Sequence, residues 1–378
     1  MIEGKKWISC FADFSGYGSA ARNYVFSLYK KGVPITIQSR NFDPFPPEVM
    51  DKEQKELLDY LAKKNIPYDK VIVHLTPDLY PLYLEKGKYN IGFCAWETSR
   101  LHPRWVDCCN LMSEMWVPCE YNVQAFRESG VAVPVYKIPH GIDVDMFKSS
   151  CNEQFSVGGI NNSTFKFYSI FQWNARKNPE GLLRAYFNAF TENDDVVLIL
   201  KTYLGNTGVD NLKQIRDKIL YVKRDMNLSY FPKVVLISEL LSSRQILELH
   251  KFGDAYISLH RGEGWNIPCF EAGLAGNPVI ATGCGGNMEF MSEDNSHIVG
   301  FMWTYVSGMG GFNQWYHGNQ QWASPNLIDA SEKMRWVFSH REEAAEKGKV
   351  LSGYIKENFS WDKVSKKILG RFKAIDRR

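Results

Sequence analysis

Two glutamates, Glu263 and Glu271, are the residues whose type and spacing most directly suggest chemistry. They stand eight positions apart in Arg-Gly-Glu-Gly-Trp-Asn-Ile-Pro-Cys-Phe-Glu, after an apolar run and before a helix that a proline can start. Because Glu263 precedes that helix, we expect the two carboxylates to hold opposite ends of one polyhydroxylated ligand. Glycines beside Glu263 permit close backbone approach, and N–H groups at the helix start suit a phosphate.

A basic pair, Arg176 and Lys177, forms a second candidate group. It lies in Phe-Gln-Trp-Asn-Ala-Arg-Lys-Asn-Pro, between a predicted strand at Lys166–Gln172 and a predicted helix at Pro179–Phe190. Cations at such a turn can neutralise the charge that grows on a leaving diphosphate as its glycosidic bond breaks. The alternative is an ordinary pair of charges at a helix entry.

Glycines also punctuate the start of the chain. Gly16 and Gly18, in Ser-Gly-Tyr-Gly-Ser, separate a predicted strand at Lys6–Ala12 from a predicted helix at Ala20–Tyr29. The spacing predicts a tight turn over Gly16–Ser19.

The elements that must position these groups come in two series. Short apolar runs alternate with longer amphipathic stretches from residue 6 to 138 and again from 166 to 282, which predicts βαβ units and parallel sheets. The polar, aperiodic stretch 140–163 is the candidate linker, and Gly308–Trp322 is predicted to be an irregular loop. We therefore predict an α/β fold with domains at 1–150 and 160–345 and final helices at 346–378.

Composition limits the class of protein. The chain of 378 residues is 44% hydrophobic with a net charge of +3, which is typical of a globular protein and neither requires nor excludes a polyanionic partner. No apolar run approaches the length of a membrane span and no leader is visible, so we expect a cytoplasmic protein. Eight scattered cysteines predict reduced, mostly buried thiols.

The segment from Glu263 to Glu271 resembles the Glu-x7-Glu donor-site signature of the retaining glycosyltransferases of family 4. Weaker matches follow along the chain, at Trp96-Glu-Thr-Ser, Trp116-Val-Pro-Cys, His140-Gly-Ile-Asp and Phe359-Ser-Trp-Asp. The resemblance implies the GT-B fold, in which two Rossmann-like doubly wound domains face a central cleft. It also implies a C-terminal helix that crosses back to the N-terminal, acceptor-side domain.

The resemblance assigns roles to the donor-side residues. Glu263 takes the place of the residue near the transferred sugar, and Glu271 that of the residue holding the ribose. Between them the backbone amides of four residues form the donor cradle: Gly264, Trp265, Asn266 and Ile267. Asn266 stands where the family frequently has glycine.

It assigns the charged and acceptor-side positions as well. Lys177 matches the lysine on the diphosphate, and Arg176 supplies the second charge because the family's usual arginine is Gln172 here. The amides around Gly16 and Gly18 face the phosphates. Glu97 stands where many members carry an active-site histidine, for which His74 is a possible substitute.

The implied activity is transfer of a sugar from a nucleoside diphosphate sugar, with UDP or GDP, to an acceptor hydroxyl with retention and without metal or other cofactor. The acceptor is a carbohydrate, a lipid-linked glycan or, as in some viral enzymes, a hydroxylated DNA base; the oligomeric state stays open. A nucleotide-sugar-binding protein without activity and a glycosidase using both glutamates are alternatives.

Two further patterns have competing interpretations. Asp143-Val-Asp145 resembles the metal-binding motif of a different glycosyltransferase fold, but its position suits a linker. The amphipathic, basic tail from Trp361 to Arg378 suits either peripheral contact with an anionic membrane or packing on its own protein.

Overall fold

The chain forms two compact units. The computed structural model describes residues 3–13, 15–40, 50, 52–148, 155–161, 163–204, 209–309 and 314–377. Unit 1 comprises Met1–Asp143 and Asn358–Arg378, and unit 2 comprises Val144–Glu357. The predicted linker at 140–163 falls partly outside the described residues.

Unit 1 is built on a six-stranded parallel sheet of order β2-β1-β3-β4-β5-β6. The strands are β1 (Gly4–Ser9), β2 (Ile35–Ser39), β3 (Tyr68–His74), β4 (Tyr89–Phe93), β5 (Glu114–Val117) and β6 (Val135–Lys137). The helices are α1 (Gly16–Lys30), α2 (Lys52–Lys63), α3 (Tyr80–Tyr83), α4 (Pro103–Cys109) and α5 (Glu120–Glu128).

Unit 2 repeats the plan with a sheet of order β12-β11-β10-β7-β8-β9. Its strands are β7 (Phe165–Gln172), β8 (Val196–Tyr203), β9 (Lys233–Ile237), β10 (Ala255–Ser258), β11 (Val279–Thr282) and β12 (His297–Val299), followed by the antiparallel hairpin β13 (Phe301–Tyr305) and β14 (Gln321–Pro325). Its helices are α6 (Pro179–Ala189), α7 (Val209–Met226), α8 (Ser243–Phe252), α9 (Ile267–Ala275), α10 (Leu327–Ser339) and α11 (Arg341–Phe359), of which the last ends just inside unit 1.

The predicted architecture of two doubly wound α/β sheets is confirmed, but two local predictions are wrong. Gly16–Ser19 is the first turn of α1, because the Ser15 hydroxyl accepts a hydrogen bond from the Gly18 N–H (3.0 Å) and starts the helix early. The predicted loop Gly308–Trp322 ends at residue 320, since Gln321 and Trp322 pair with β13. Residues 310–313 of that loop lie outside the described residues.

The final helix, α12 (Trp361–Ile375), belongs to unit 1. The Ser360 side chain caps it, and its apolar residues Val364, Ile368 and Phe372 are buried in the unit 1 core. The packing interpretation of the tail is therefore right, because the apolar face that would have lain on a membrane is already covered. No helix in the described part of the chain combines the length and apolarity needed to cross a bilayer.

A buried ion pair attaches α12 to the sheet. Glu114 at the start of β5 is fully buried and accepts hydrogen bonds from Arg371 Nε (2.9 Å), Trp116 Nε1 (2.7 Å) and the Tyr89 hydroxyl (2.8 Å). Three donors compensate the carboxylate for the loss of water. Glu114 thus ties the C-terminal helix to the fifth strand.

Replacing Arg371 with methionine is expected to destabilise unit 1 by about 1.5–3 kcal/mol, because it removes the charged partner of a buried carboxylate. The free energy of unfolding from urea titration measures this. Lys367→Met, in the same helix, is the control. Equal stability of the Arg371 and control variants would contradict the role given to Glu114.

Cysteines follow the prediction wherever the structure describes them. Seven are free and buried: Cys10, Cys94, Cys108, Cys109, Cys119, Cys269 and Cys284. Burial raises the pKa of Cys10 and of Cys284 to about 12, which keeps both as thiols at neutral pH. Cys151 lies outside the described residues.

Candidate functional site

The order of the unit 2 sheet determines where its chemistry gathers. The chain runs outward from β7 through β8 to β9, then returns to place β10 on the other side of β7. The loops that follow β7 and β10 are therefore neighbours at the carboxyl edge, the position where open α/β sheets bind ligands. These loops carry residues 173–178 and 259–266, which include most of the predicted donor-side residues.

Arg176, Lys177 and Glu263 meet at this edge. The Glu263 carboxylate pairs with Lys177 Nζ and with Arg176 Nη1 (3.1 Å), although 86 positions separate Lys177 from Glu263. Arg176 Nη1 also donates to the carbonyl of Gly262 (2.8 Å). All three side chains are largely buried, at 15% exposure for each cation and 7% for the carboxylate. The cluster carries a net charge of +1, which leaves it attractive to an anion.

The charges hold one another ionised. Burial by itself raises the pKa of Glu263, but Lys177 and Arg176 outweigh that effect and bring it down to about 2. Glu263 therefore stays a carboxylate throughout the physiological range. It can accept hydrogen bonds from hydroxyls, but it is not a proton donor at neutral pH.

Two turns shape the loop after β7. Ala175–Lys177 form one turn of 3-10 helix, and the Asn174 side chain accepts a hydrogen bond from the Lys177 N–H (3.1 Å). Asn178 then adopts a left-handed conformation (φ 53°), with its side-chain amide donating to the Leu259 carbonyl (2.9 Å). The Arg261 N–H donates to the Arg176 carbonyl (2.7 Å). One backbone hydrogen bond and side-chain bonds from Arg176 and Asn178 thus hold the two loops to each other.

The backbone conformation at Asn266 accounts for the glycine that is frequent at this position in the family that the sequence resembles. Its backbone is left-handed (φ 71°, ψ 67°), a conformation that glycine adopts freely and asparagine tolerates better than other side chains. The side chain is buried and donates to Ser258 Oγ (3.1 Å) and His260 Nδ1 (3.4 Å).

His260 completes this network beneath the loop. Its Nε2 contacts the Cys284 carbonyl (2.9 Å), and because a carbonyl can only accept, Nε2 carries the proton and Nδ1 is the acceptor. Burial lowers the pKa of His260, so the ring is neutral at physiological pH. Sequence analysis did not single out His260, although its place at the end of an apolar run and directly before the glycine loop was a usable signal.

Asn266→Ala is expected to destabilise unit 2 by about 2 kcal/mol, because alanine loses the buried hydrogen bonds and is strained at a left-handed position. Asn266→Gly keeps the conformation and should lose about 1 kcal/mol. Differential scanning calorimetry of both variants measures the order. If the alanine variant is more stable than the glycine variant, the left-handed backbone conformation is not what favours asparagine at position 266.

Glycines after β11 complete the wall of the loop. Gly286 N–H donates to the Glu263 carbonyl (2.8 Å), and a Cβ at Gly286 would lie 2.1 Å from the Gly264 carbonyl oxygen. Gly285 has φ 95°, and a Cβ there would lie 2.5 Å from the Glu263 carbonyl oxygen. Gly-Cys-Gly-Gly in the sequence carried this signal, but no role had been predicted for it.

The helix that starts beside this loop has no side-chain cap. α9 begins at Ile267 with Pro268 in its first turn, and its N-cap residue Asn266 makes no side-chain cap hydrogen bond. First-turn N–H groups of a helix have no partner within it, so this end of α9 suits an anion. The Trp265 ring is buried and packs on Phe270 (5.3 Å between centroids) and Phe290 (5.6 Å), so the ring belongs to the core of the unit.

Glu271 makes none of the contacts that join Arg176, Lys177 and Glu263. It lies beside His250 instead. Asn277 Nδ2 donates to the Tyr168 hydroxyl (2.7 Å), which leaves that hydroxyl to donate to His250 Nδ1 (2.8 Å). His250 Nε2 then faces the Glu271 carboxylate at 3.4 Å. The chain of bonds orients a half-buried carboxylate. Sequence analysis missed Tyr168, His250 and Asn277 because they are distant from one another in sequence.

The remaining predicted residues belong to unit 1. Gly16 and Gly18 are in the first turn of α1, where a Cβ at Gly18 would lie 2.4 Å from the Asp13 carbonyl oxygen. Between them Tyr17 accepts a hydrogen bond from the Ala95 N–H (3.1 Å). This bond joins the start of α1 to the loop after β4, which carries half-buried Glu97.

His74 lies in an aromatic cluster of unit 1. Its ring stacks on Phe93 (4.3 Å between centroids) and lies against Trp7 and Tyr24, and it is 2% exposed. Burial, together with neighbouring His140, lowers its pKa well below the usual value. His74 therefore occupies a packing position as a neutral side chain.

The acidic pair at the predicted linker is exposed. Asp145 pairs with Lys148 (2.7 Å between Oδ1 and Nζ), as expected of a surface turn. Within the described ranges, no group of three or more histidine, cysteine, aspartate and glutamate side chains is arranged to hold a metal ion.

No protein-family model matches the sequence, and no curated protein sequence matches it. Solved structures do match. Sucrose-phosphate synthase from Thermosynechococcus elongatus superposes with a TM-score of 0.70 at 12% identity, over 99% of this chain and 99% of that chain. HepE from Anabaena, in complex with UDP and glucose, gives 0.66 at 11% identity over 98% and 100% of the two chains. The pneumococcal O-GlcNAc transferase GtfA, in complex with UDP and GlcNAc, gives 0.54 at 12% identity over 82% of this chain and 57% of that chain. The chain has the GT-B fold that these similarities share.

Proposed function

We propose that this protein is a glycosyltransferase that moves a sugar from a nucleoside diphosphate sugar to an acceptor hydroxyl. The observation that carries the proposal is the buried cluster of Arg176, Lys177 and Glu263 at the switch point of the unit 2 sheet, beside the uncapped start of α9. The HepE and GtfA structures contain UDP together with a sugar, which makes UDP-sugars the first donors to test.

The cluster suits a diphosphate leaving group. As the bond between the sugar C1 and the phosphate oxygen breaks, its electron pair stays on the diphosphate, and Arg176 and Lys177 stabilise the growing charge. Glu263 contributes by holding both cations in the loop and by offering carboxylate oxygens to sugar hydroxyls. The amides of Gly264, Trp265, Asn266 and Ile267 face the donor, and Glu271 accepts hydrogen bonds from the ribose.

We further propose retention and membership of the retaining glycosyltransferases of family 4, which rest on the Glu263 to Glu271 signature. In this scheme the acceptor oxygen attacks C1 from the side of the leaving group, and its proton passes to the departing phosphate. Since two cations and a helix start supply positive charge, we propose that no metal is needed. Gly16 and Gly18 stay proposed donor-binding residues and Glu97 a proposed catalytic residue, and a cytoplasmic location stays a prediction.

The test is a panel of UDP-glucose, UDP-GlcNAc, GDP-mannose and ADP-glucose, each measured for binding by thermal shift and for turnover with and without carbohydrate acceptors. A donor at a hundred times its dissociation constant should add about 2.7 kcal/mol of stability. Binding followed by release of the nucleoside diphosphate supports the proposal. Binding with no turnover would instead identify a nucleotide-sugar-binding protein, and binding of none of the nucleotides would refute the site itself.

A further inference from the structure

A pocket of about 630 Å³ adjoins the loop that carries Arg176 and Lys177. Trp173, Asn174 and Asn178 of that loop line it, whereas Lys177 and Glu263 are not among its described lining residues. The remaining walls come from α6, α7 and the chain around β14. Its size is within the usual range for small-molecule sites and sufficient for a phosphorylated monosaccharide.

Cations dominate its charged lining. Arg184 of α6, Lys218 of α7 and Arg261 line the pocket, against a single described carboxylate, Glu180. Arg184 pairs with Asp225, and Lys218 is exposed. The described lining therefore has an excess of positive charge in a concave, partly desolvated place, where an anion gains most from it.

Arg261 is the most informative of the three. Its guanidinium lies over the Trp322 ring (5.7 Å), and its polar contact among the described residues is the neutral Asn178 Oδ1 at 3.4 Å. Burial lowers the pKa of this guanidinium from its ordinary value, with Glu180 opposing the effect. A partly buried cation with no carboxylate at ion-pair distance among the described residues gains from a bound anion.

The start of α6 adds neutral donors to the same wall. Asn178 caps the helix without a side-chain hydrogen bond, and Pro179 occupies its first position. The N–H groups of Glu180 and Gly181, which both line the pocket, have no partner within the helix. Glu180, Gly181 and Arg261 line the same pocket, so a helix start and a cation both favour an anion there.

Apolar side chains line another part of the pocket. Trp173, Met309 and Leu327 line it and suit the flat, C–H-rich face of a sugar ring, while Glu180 can accept hydrogen bonds from hydroxyls. A bare phosphate would leave these groups unused. Phosphate-binding groups and a sugar-binding face therefore occur in one pocket.

We propose that this pocket is a second ligand site, separate from the donor site, for a small phosphate ester such as a phosphorylated monosaccharide. Its phosphate lies among Arg261, Lys218 and the α6 start, and its ring lies against Trp173. The site goes beyond the proposed glycosyl transfer and does not depend on it, because its ligand would not contact Lys177 or Glu263 of the donor site.

Isothermal titration of the full chain tests this with glucose 6-phosphate, glucose and inorganic phosphate. Wild-type protein should bind glucose 6-phosphate saturably and more tightly than phosphate, with glucose weakest. Arg261→Gln should weaken binding about tenfold or more. The double variant Arg184→Gln and Lys218→Gln, with both changes on surface helices, should weaken glucose 6-phosphate binding several-fold. It keeps the test valid if Arg261→Gln fails to fold.

Lys177→Gln separates this site from the donor site. It should leave the glucose 6-phosphate affinity within twofold of wild type while weakening UDP binding. Three results would each overturn the proposal: no saturable binding of glucose 6-phosphate, equal affinity in wild type and the Arg184/Lys218 variant, or loss of glucose 6-phosphate binding in Lys177→Gln. Failure of UDP binding alone would instead count against the proposed glycosyl transfer.

Discussion

Lys177→Ala is expected to lower kcat/KM for sugar transfer by about 100- to 1000-fold, which corresponds to about 3–4 kcal/mol of transition-state stabilisation. The reason is that Lys177 is one of two cations available to the leaving diphosphate, and its burial at 15% exposure strengthens the interaction over that of a surface lysine. The measurement is initial-rate kinetics with the donor identified by the panel.

Lys213→Ala provides the matched control, since Lys213 is an exposed lysine of the same unit, on α7. It should leave kcat/KM within twofold. If Lys177→Ala raises KM with kcat unchanged, the lysine binds the donor equally in the ground and transition states. Full activity in the Lys177 variant would show that the diphosphate does not bind at this loop.

Glu263→Gln is expected to slow turnover about 100-fold and also to change how stability responds to acid. The substitution removes the carboxylate that Arg176 and Lys177 share as counter-ion. Both side chains should then lose their fixed position in the loop. Loss of preorganised cations is what lowers kcat. Glu332→Gln, an exposed site on α10, is the control for the substitution itself.

The acid response has a definite sign. Glu263 has a folded-state pKa of about 2 against an ordinary value of 4.5, so its ionised form stabilises the folded chain above about pH 4.5. That contribution is lost as pH falls toward 2. Between pH 6 and pH 3 the wild type should lose on the order of 2 kcal/mol more than Glu263→Gln. Parallel loss in the two proteins, measured by urea unfolding at both pH values, would show that the ion cluster does not form in solution.

Local pattern was enough for the elements of the fold. Alternating apolar runs and amphipathic stretches predicted β7 and α6 to within one residue of the bounds that the structure has, because burial of a strand or helix face leaves its period in the sequence. It failed at Gly16–Ser19, where a serine cap outweighed two glycines. The three-residue strand β12 and the hairpin of β13 and β14 were also missed. β13 has no buried residue, so burial leaves no period in its sequence.

The sequence by itself determined two doubly wound units and the chemical types of the site residues: two acids around a glycine loop and a basic pair at a turn. Only the tertiary structure decided which of them meet. Lys177 reaches Glu263 across 86 positions because the sheet order puts β10 next to β7, and no local pattern encodes strand order. The same holds for His250 beside Glu271 and for the pocket around Arg261, whose walls come from segments distant in sequence. Secondary structure follows from neighbours along the chain, whereas a site follows from neighbours in space.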